Sequence, residues 1–165
     1  MATKLQPTLR EGDEAPAFTA MTTDGTTVSL HDFKGRDVIL YFYPKDDTPG
    51  CTKEACAFRD RHAAFRKAGV VVLGISTDGV KSHAKFSAKY KLPFPLLSDE
   101  QKQIVSAYGA WGEKSFMGRK YQGTYRWTFW IDGSGKIRKI WTDVKPNEHA
   151  DQILALLRAG RRQAE

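Results

Sequence analysis

The sequence predicts an α/β domain in which helices cover both faces of a central mixed β-sheet. Two runs, Val38–Tyr43 and Val70–Ile75, are continuously apolar and rich in β-branched or aromatic residues, as strands buried on both faces are. Between them, four side chains fall at helical spacing and form one face of an amphipathic helix: Ala55, Phe58, His62 and Phe65. A strand, a helix and a second strand of this kind are typical of a parallel βαβ unit.

Shorter elements precede and follow this unit. Asp24-Gly25 lies between two short extended runs and predicts a small hairpin. A helix is predicted over Val80–Tyr90, which Pro93 and Pro95 then prevent from continuing. We expect another short helix near Gln101–Tyr108.

The last third of the chain predicts a second hairpin and a terminal helix. Two strand-like runs, Tyr125–Ile131 and Lys136–Thr142, are joined by the turn sequence Asp-Gly-Ser-Gly. A final amphipathic helix carries apolar residues on one face (Ala150, Ile153, Leu154 and Leu157), and Gly160 is its predicted stop. We expect loose tails over residues 1–8 and 161–165.

Composition narrows the classes of protein to which the chain can belong. A length of 165 residues suits one domain over 1–165, and 41% hydrophobic residues exclude a disordered chain. No apolar run is long enough for a membrane span, two cysteines exclude a disulfide scaffold, and the first residues lack an apolar signal region. We therefore expect a cytoplasmic protein without membrane association.

The net charge of +7 does not by itself indicate a function. Basic residues are spread along the chain, which is typical of a solvated basic surface. The stretch Lys120–Arg126 mixes basic and aromatic residues but lacks an RNA-recognition motif, so we expect no specific nucleic-acid partner. A basic interaction module with incidental cysteines stays as an alternative, and it predicts salt-dependent binding to nucleic acid.

The segment YPKDDTPGCTKEAC, residues 43–56, carries the strongest chemical signal. It leaves a buried strand and enters a helix, which is where α/β sheets place active sites. Thr48 is suited to the N-cap and Pro49 to the first helical position. Cys51 is then the third helical residue, beside free backbone N–H groups and the positive end of the helix dipole, which favour a thiolate.

Cys56 follows Cys51 by five residues, a spacing that decides how the two thiols can react. On an ideal helix their Cα atoms lie about 8.6 Å apart, whereas a disulfide needs less than about 7 Å. The thiols can therefore join only if the first helical turns unwind. This favours a reactive thiol with a resolving partner over a structural disulfide.

Three other interpretations of this segment are weaker. Cys51 as a small buried hydrophobic residue explains neither the strand nor the helix start around it. A zinc site built from Cys51, Cys56 and His62 would point its ligands to different sides of one helix. The sequence also has no C-x-x-C, Walker A or G-x-G-x-x-G motif.

Pro44-x-x-x-Thr48-x-x-Cys51 resembles the active-site signature of peroxiredoxins, cysteine peroxidases with a thioredoxin-like fold. The wider stretch, with its second cysteine at position 56, is similar to the bacterioferritin comigratory protein or peroxiredoxin Q subfamily. The resemblance runs from about Leu9 to Leu157 and includes five further matching segments: Ser76–Asp78, Ser82–Phe86, Lys91–Asp99, Tyr108–Glu113 and Arg126–Asp132.

The resemblance implies a role for each of six residues. Cys51 would attack the peroxide, and Cys56 would resolve its sulfenic acid as an intramolecular disulfide. Thr48 would hydrogen-bond the thiolate and the peroxide, and Arg126, expected on a later strand, would bring positive charge to the sulfur. Pro44 would shield the pocket. Glu54 would orient the Arg126 guanidinium.

The resemblance implies a monomeric thiol peroxidase that uses no metal, flavin or haem. Its partners would be hydrogen peroxide, organic hydroperoxides and thioredoxin or a similar dithiol reductant. The helix dipole and Arg126 already favour the thiolate, so the reaction needs no histidine as a general base. We therefore expect His62 and His83 to be helix-face residues. The alternative is a redox sensor in which the same thiol pair oxidises without turnover.

Overall fold

A computed structural model describes residues 7–164, a range that contains nine strands, five α-helices and one 3₁₀ helix. The strands are β1 (Thr19–Thr22), β2 (Thr27–Ser29), β3 (Asp37–Phe42), β4 (Val70–Ser76), β5 (Leu96–Ser98), β6 (Trp111–Phe116), β7 (Arg119–Thr124), β8 (Thr128–Ile131) and β9 (Ile137–Trp141). The helices are α1 (Pro49–Asp60), α2 (His62–Lys67), α3 (Val80–Tyr90), α4 (Gln103–Ala107) and α5 (His149–Ala164), and the 3₁₀ helix is Leu30–Phe33.

Seven strands form the predicted mixed sheet, in the order β2-β1-β5-β4-β3-β8-β9. β4 is central and runs parallel to both β3 and β5, and the other strand pairs are antiparallel. β6 and β7 form a separate two-stranded hairpin. The carboxyl ends of β3 and β4 therefore meet at one edge of the sheet, from which the segment 43–48 leads to α1.

Each face of the sheet has its own apolar core, because side chains alternate along the strands. From β3, Ile39 and Tyr41 pack on the face covered by α1, α2, α3 and α5. Leu40 and Phe42 pack on the opposite face, against α4 and the residues of the 3₁₀ helix. The prediction of helices on both faces is confirmed, and the face that carries α1 holds most of the helical cover.

The predicted helix through Phe58 and Phe65 is two helices that meet at Arg61. Both phenylalanines are fully buried, with ring centroids 5.7 Å apart. In a straight helix seven residues rise about 10.5 Å. The rings are closer together than this rise, and both lie in the core on the face of the sheet that α1 covers.

The C-terminal boundaries differ from the prediction in two places. Tyr125–Trp127 is not part of β8, because the N–H of Trp127 donates to the carbonyl of Tyr125 at 2.9 Å and closes a tight turn. Helix α5 continues through Gly160 to Ala164, since one glycine costs a helix only about 1 kcal/mol and does not end it. The predicted tail 161–165 is thus helical as far as residue 164.

Two predictions concern the chain ends and membranes. Residues 1–6 and 165 of the predicted tails lie outside the described residues. Among residues 7–164, no helix combines the length and the apolar character that crossing a bilayer requires.

Candidate active site

Cys51 lies at the start of α1, which follows β3 in the chain, as the sequence predicts. Thr48 has the extended backbone of an N-cap residue, and Pro49 occupies the first helical position. Cys51 is therefore the third residue of α1, and it is 1% exposed. A residue at this position belongs to the first turn, whose unpaired N–H groups favour negative charge.

Arg126 brings a permanent positive charge to this sulfur. One of its terminal nitrogens, Nη2, donates to Cys51 Sγ at 3.3 Å, and the other, Nη1, donates to Glu54 Oε1 at 2.8 Å. Arg126 is not on a strand, contrary to expectation: it is the middle residue of the tight turn between β7 and β8. That turn, rather than strand geometry, sets the position from which the side chain reaches α1.

Glu54 is placed to orient the guanidinium, one helical turn after Cys51. Its side chain is 0% exposed, and Oε2 has no hydrogen-bond partner among the described residues. Burial raises the pKa of Glu54 to about 7, against the opposing effect of Arg126. Burial therefore favours the protonated carboxyl group, whereas the neighbouring Arg126 cation favours the carboxylate.

Gly50, which is not among the predicted site residues, leaves space for the side chain of Arg126. A Cβ atom at this position would lie 3.1 Å from Nη2 of Arg126, which is tighter than ordinary packing. Pro146 approaches the same point at 3.9 Å. The available signal was a glycine in the first turn of a helix, where residues of better helix propensity would be expected.

Thr48 makes a different hydrogen bond from the one expected. Its hydroxyl donates to the carbonyl of Lys45 at 2.8 Å. A hydroxyl has one proton, so Thr48 is not at the same time the donor to the Cys51 thiolate. Its oxygen lone pairs remain able to accept a hydrogen bond from a peroxide O–H.

Two further predicted site residues, Pro44 and Cys56, lie close by along the chain. Pro44 is half-buried and begins the loop that leads to Thr48. Cys56 is half-buried on α1, and both cysteines are free thiols. Because α1 is continuous from Pro49 to Asp60, the five-residue separation holds the thiols apart as the sequence predicts.

The two histidines of the helices differ from each other. His62 is half-buried on α2, with its ring 6.2 Å from that of Phe94, and it fits the expected helix-face role. His83 does not, because it is 0% exposed and hydrogen-bonded on both ring nitrogens. Its partner Asp46 is not among the predicted site residues, because the helical periodicity of α3 gives no signal for it.

The chain is similar to known proteins over most of its length. The model of the AhpC/TSA family matches residues 11–140. The chain is 53% identical over 146 residues to "Putative peroxiredoxin bcp" of Coxiella burnetii, covering 88% of this chain and 97% of that protein. It is 49% identical over 150 residues to "Peroxiredoxin Bcp" of Escherichia coli K12, covering 91% and 96% of the two chains.

Solved structures of related proteins have the same fold as this chain. A cysteine-to-serine mutant of Xylella fastidiosa PrxQ superposes with a TM-score of 0.88 at 34% identity, covering 93% of this chain and 98% of that chain. A Xanthomonas campestris bacterioferritin comigratory protein superposes with a TM-score of 0.82 at 39% identity, covering 87% and 91%. The work on that protein concerns its alkyl peroxide reduction activity. The thioredoxin-like peroxiredoxin architecture expected from the sequence is thereby confirmed.

Proposed function

The chain belongs to the AhpC/TSA family, among its Bcp and PrxQ peroxiredoxins, and on that premise we propose that it reduces hydrogen peroxide and organic hydroperoxides at Cys51. Peroxiredoxin identity implies thiol peroxidase activity. The observation that carries the assignment to Cys51 is the 3.3 Å contact between its sulfur and Nη2 of Arg126, at the start of a helix. Both features favour the thiolate, the nucleophilic form of cysteine.

In the first step, the Cys51 thiolate attacks the terminal oxygen of the peroxide. A sulfur–oxygen bond forms as the oxygen–oxygen bond breaks, leaving Cys51 as sulfenic acid and releasing an alkoxide or hydroxide that takes up a proton. Arg126 lies beside the sulfur, where it stabilises this negative charge. The Thr48 hydroxyl donates its proton to the carbonyl of Lys45, so its oxygen accepts a hydrogen bond from the hydroxyl of the peroxide. Pro44 shields the pocket.

In the second step, the Cys56 thiol attacks the sulfenic sulfur, forms a disulfide and releases water. The helix must unwind first, because its geometry holds the thiols too far apart. A dithiol protein of the thioredoxin type then reduces the disulfide by thiol exchange. In this proposal the protein works as a monomer in the cytoplasm, as the sequence predicts.

Stopped-flow mixing of the reduced protein with hydrogen peroxide tests the first step, with tryptophan fluorescence as the signal. We expect fast second-order oxidation in the wild type and none in Cys51→Ser. Oxidation no faster than that of a free thiol would contradict the proposal. The redox-sensor alternative would gain support if oxidation were fast but turnover with reductant were absent.

The Cys56→Ser variant tests the second step. We expect it to form sulfenic acid at the wild-type rate, detected by a sulfenic-acid trapping reagent and mass spectrometry. Turnover with thioredoxin as reductant should fall sharply, because no disulfide can form. Wild-type turnover in this variant would show that Cys56 does not resolve the intermediate.

A further inference from the structure

A buried polar cluster fixes the loop that carries the active-site residues Pro44 and Thr48. Its centre is the Asp46 carboxylate, part of a residue that is only 7% exposed. Oδ1 accepts a hydrogen bond from the hydroxyl of Tyr43 at 2.6 Å. Oδ2 accepts one from the hydroxyl of Ser82 at 2.8 Å and faces Nδ1 of His83 at 2.7 Å.

Both ring nitrogens of His83 face hydrogen-bond acceptors. Nδ1 faces the Asp46 carboxylate, and Nε2 faces the carbonyl oxygen of Leu97 at 2.8 Å. Asp46 and His83 thus form a buried hydrogen-bonded pair that joins the loop to α3 and to the strand that contains Leu97.

The same cluster holds the loop backbone. The N–H of Asp46 donates to Oδ2 of Asp78 at 2.8 Å, and the hydroxyl of Ser76 donates to the same oxygen at 2.7 Å. Ligand atoms of Asp46, Asp78 and His83 lie within 4.8 Å of one another. The two carboxylates already accept hydrogen bonds from N–H and O–H donors, so we treat the cluster as an internal hydrogen-bond network.

The position of the cluster along the chain gives it a consequence for catalysis. Asp46 lies midway between Pro44 and Thr48 and five residues before Cys51, so the anchored loop ends where α1 begins. The hydrogen bonds of Asp46 described above join it to Tyr43, to β4 through Asp78 and to α3, and none of them is made with α1. Unwinding of the first turns of α1 therefore leaves these bonds in place.

We propose that the Asp46–His83 pair is a positioning clamp that keeps the loop of Pro44 and Thr48 assembled while α1 unwinds to form the Cys51–Cys56 disulfide. This inference rests on the proposed function. Asp46 and His83 are positioning residues, since the hydrogen bonds of this pair do not involve Cys51. The clamp divides the site into a fixed loop that receives peroxide and a mobile helix start that carries the sulfur.

The two halves of the cycle respond differently when the clamp is removed. In Asp46→Asn and in His83→Gln, we expect the second-order oxidation of Cys51 to slow by about tenfold or more, because Thr48 is no longer held. The first-order bridging of Cys51 to Cys56 should not slow, since the clamp is not part of the unwinding helix. The two phases are separated by stopped-flow fluorescence at several peroxide concentrations.

Matched variants separate positioning from loss of stability. Asp47→Asn makes the same chemical change at the next residue, an exposed carboxylate paired with Lys89, and should leave both phases unchanged. The double variant Asp46→Asn/His83→Gln replaces both members of the pair and should recover part of the oxidation rate lost in His83→Gln, because the single variant leaves the buried Asp46 carboxylate without its imidazole partner. Slowing of both phases in equal proportion would mean a structural role only and would overturn the clamp.

Hydrogen exchange on the wild type tests the clamp without measuring activity. The amide of Asp46 donates to Asp78, and the amide of Thr52 donates to Thr48 within the helix start. With the disulfide formed by diamide, we expect the Asp46 amide to stay protected and the Thr52 amide to lose protection. Loss of protection at both amides refutes the clamp. Failure of the proposed function is a different result, a wild type that peroxide does not oxidise.

Discussion

The guanidinium of Arg126 donates hydrogen bonds to two groups, the sulfur of Cys51 and the carboxyl of Glu54. One flat cation with two donating ends fits this task, because each end reaches a different acceptor. The glycine at position 50 keeps the space that the guanidinium needs. At the scale of single residues, the site therefore depends on the direction of Arg126 as well as on its charge.

Replacing Arg126 tests this dependence. We expect Arg126→Met to slow oxidation of Cys51 by about 10²-fold or more, as happens when one stabilising donor is removed from an active site. Arg126→Lys should be intermediate, because an ammonium keeps the charge but cannot contact both groups. Stopped-flow oxidation by hydrogen peroxide measures the effect. Arg119→Met, which removes an exposed cation from β7, is the control; equal rates in Arg126→Met and in this control would refute the role.

At the scale of elements, α1 performs two tasks that conflict. Intact, it presents Cys51 at its start and buries Glu54 beside Arg126. Unwound, it permits Cys51 to meet Cys56 in the proposed cycle. The stability of its first turns should therefore set the rate of bridging.

A matched pair at Lys53, an exposed residue between the two cysteines, tests this relation. Lys53→Gly and Lys53→Ala remove the same charge but differ by about 1 kcal/mol in helix stability. If unwinding limits bridging, the glycine variant should form the disulfide about fivefold faster than the alanine variant. The first-order fluorescence phase gives this rate, and the oxidation step should be the same in both. Equal bridging rates would mean that unwinding is not limiting.

Local patterns could predict much of this architecture. The bounds of α3 match the predicted Val80–Tyr90, and the placement of Cys51 at a helix start follows from Thr48 and Pro49 alone. The β6–β7 hairpin escaped prediction because its exposed, charged strands have no apolar alternation. The Asp46–His83 pair escaped because 37 residues separate its members and only the fold joins them.

At the scale of the whole molecule, two buried groups make stability depend on pH in opposite directions. Burial raises the pKa of Glu54 from 4.5 to about 7, so the folded state holds this proton more tightly than the unfolded state. The resulting stabilisation is complete below pH 4.5 and is lost as pH rises through about 7. Burial lowers the pKa of His149 from 6.5 to about 4, so its stabilisation is present above pH 6.5 and lost as pH falls.

Glu54→Gln isolates the first of these contributions. From about pH 5 to about pH 8, the free energy of unfolding of the wild type should fall relative to this variant by about 2–3 kcal/mol, since one unit of pKa shift corresponds to about 1.4 kcal/mol. Urea unfolding of the reduced proteins at the two pH values measures the difference. Glu113→Gln, at an exposed carboxylate, is the control. Parallel behaviour of wild type and Glu54→Gln would contradict the shifted pKa.

The continuous helix between the cysteines also sets a limit on how much oxidant the protein can tolerate. In the proposed cycle, sulfenic acid on Cys51 waits for α1 to unwind before Cys56 can reach it. During that wait a second peroxide competes for the same sulfur and converts it to sulfinic acid, which thiol exchange does not repair. A firmer helix start thus lengthens the vulnerable interval. The folding stability of the first turns of α1 therefore sets the peroxide concentration above which the protein is permanently inactivated.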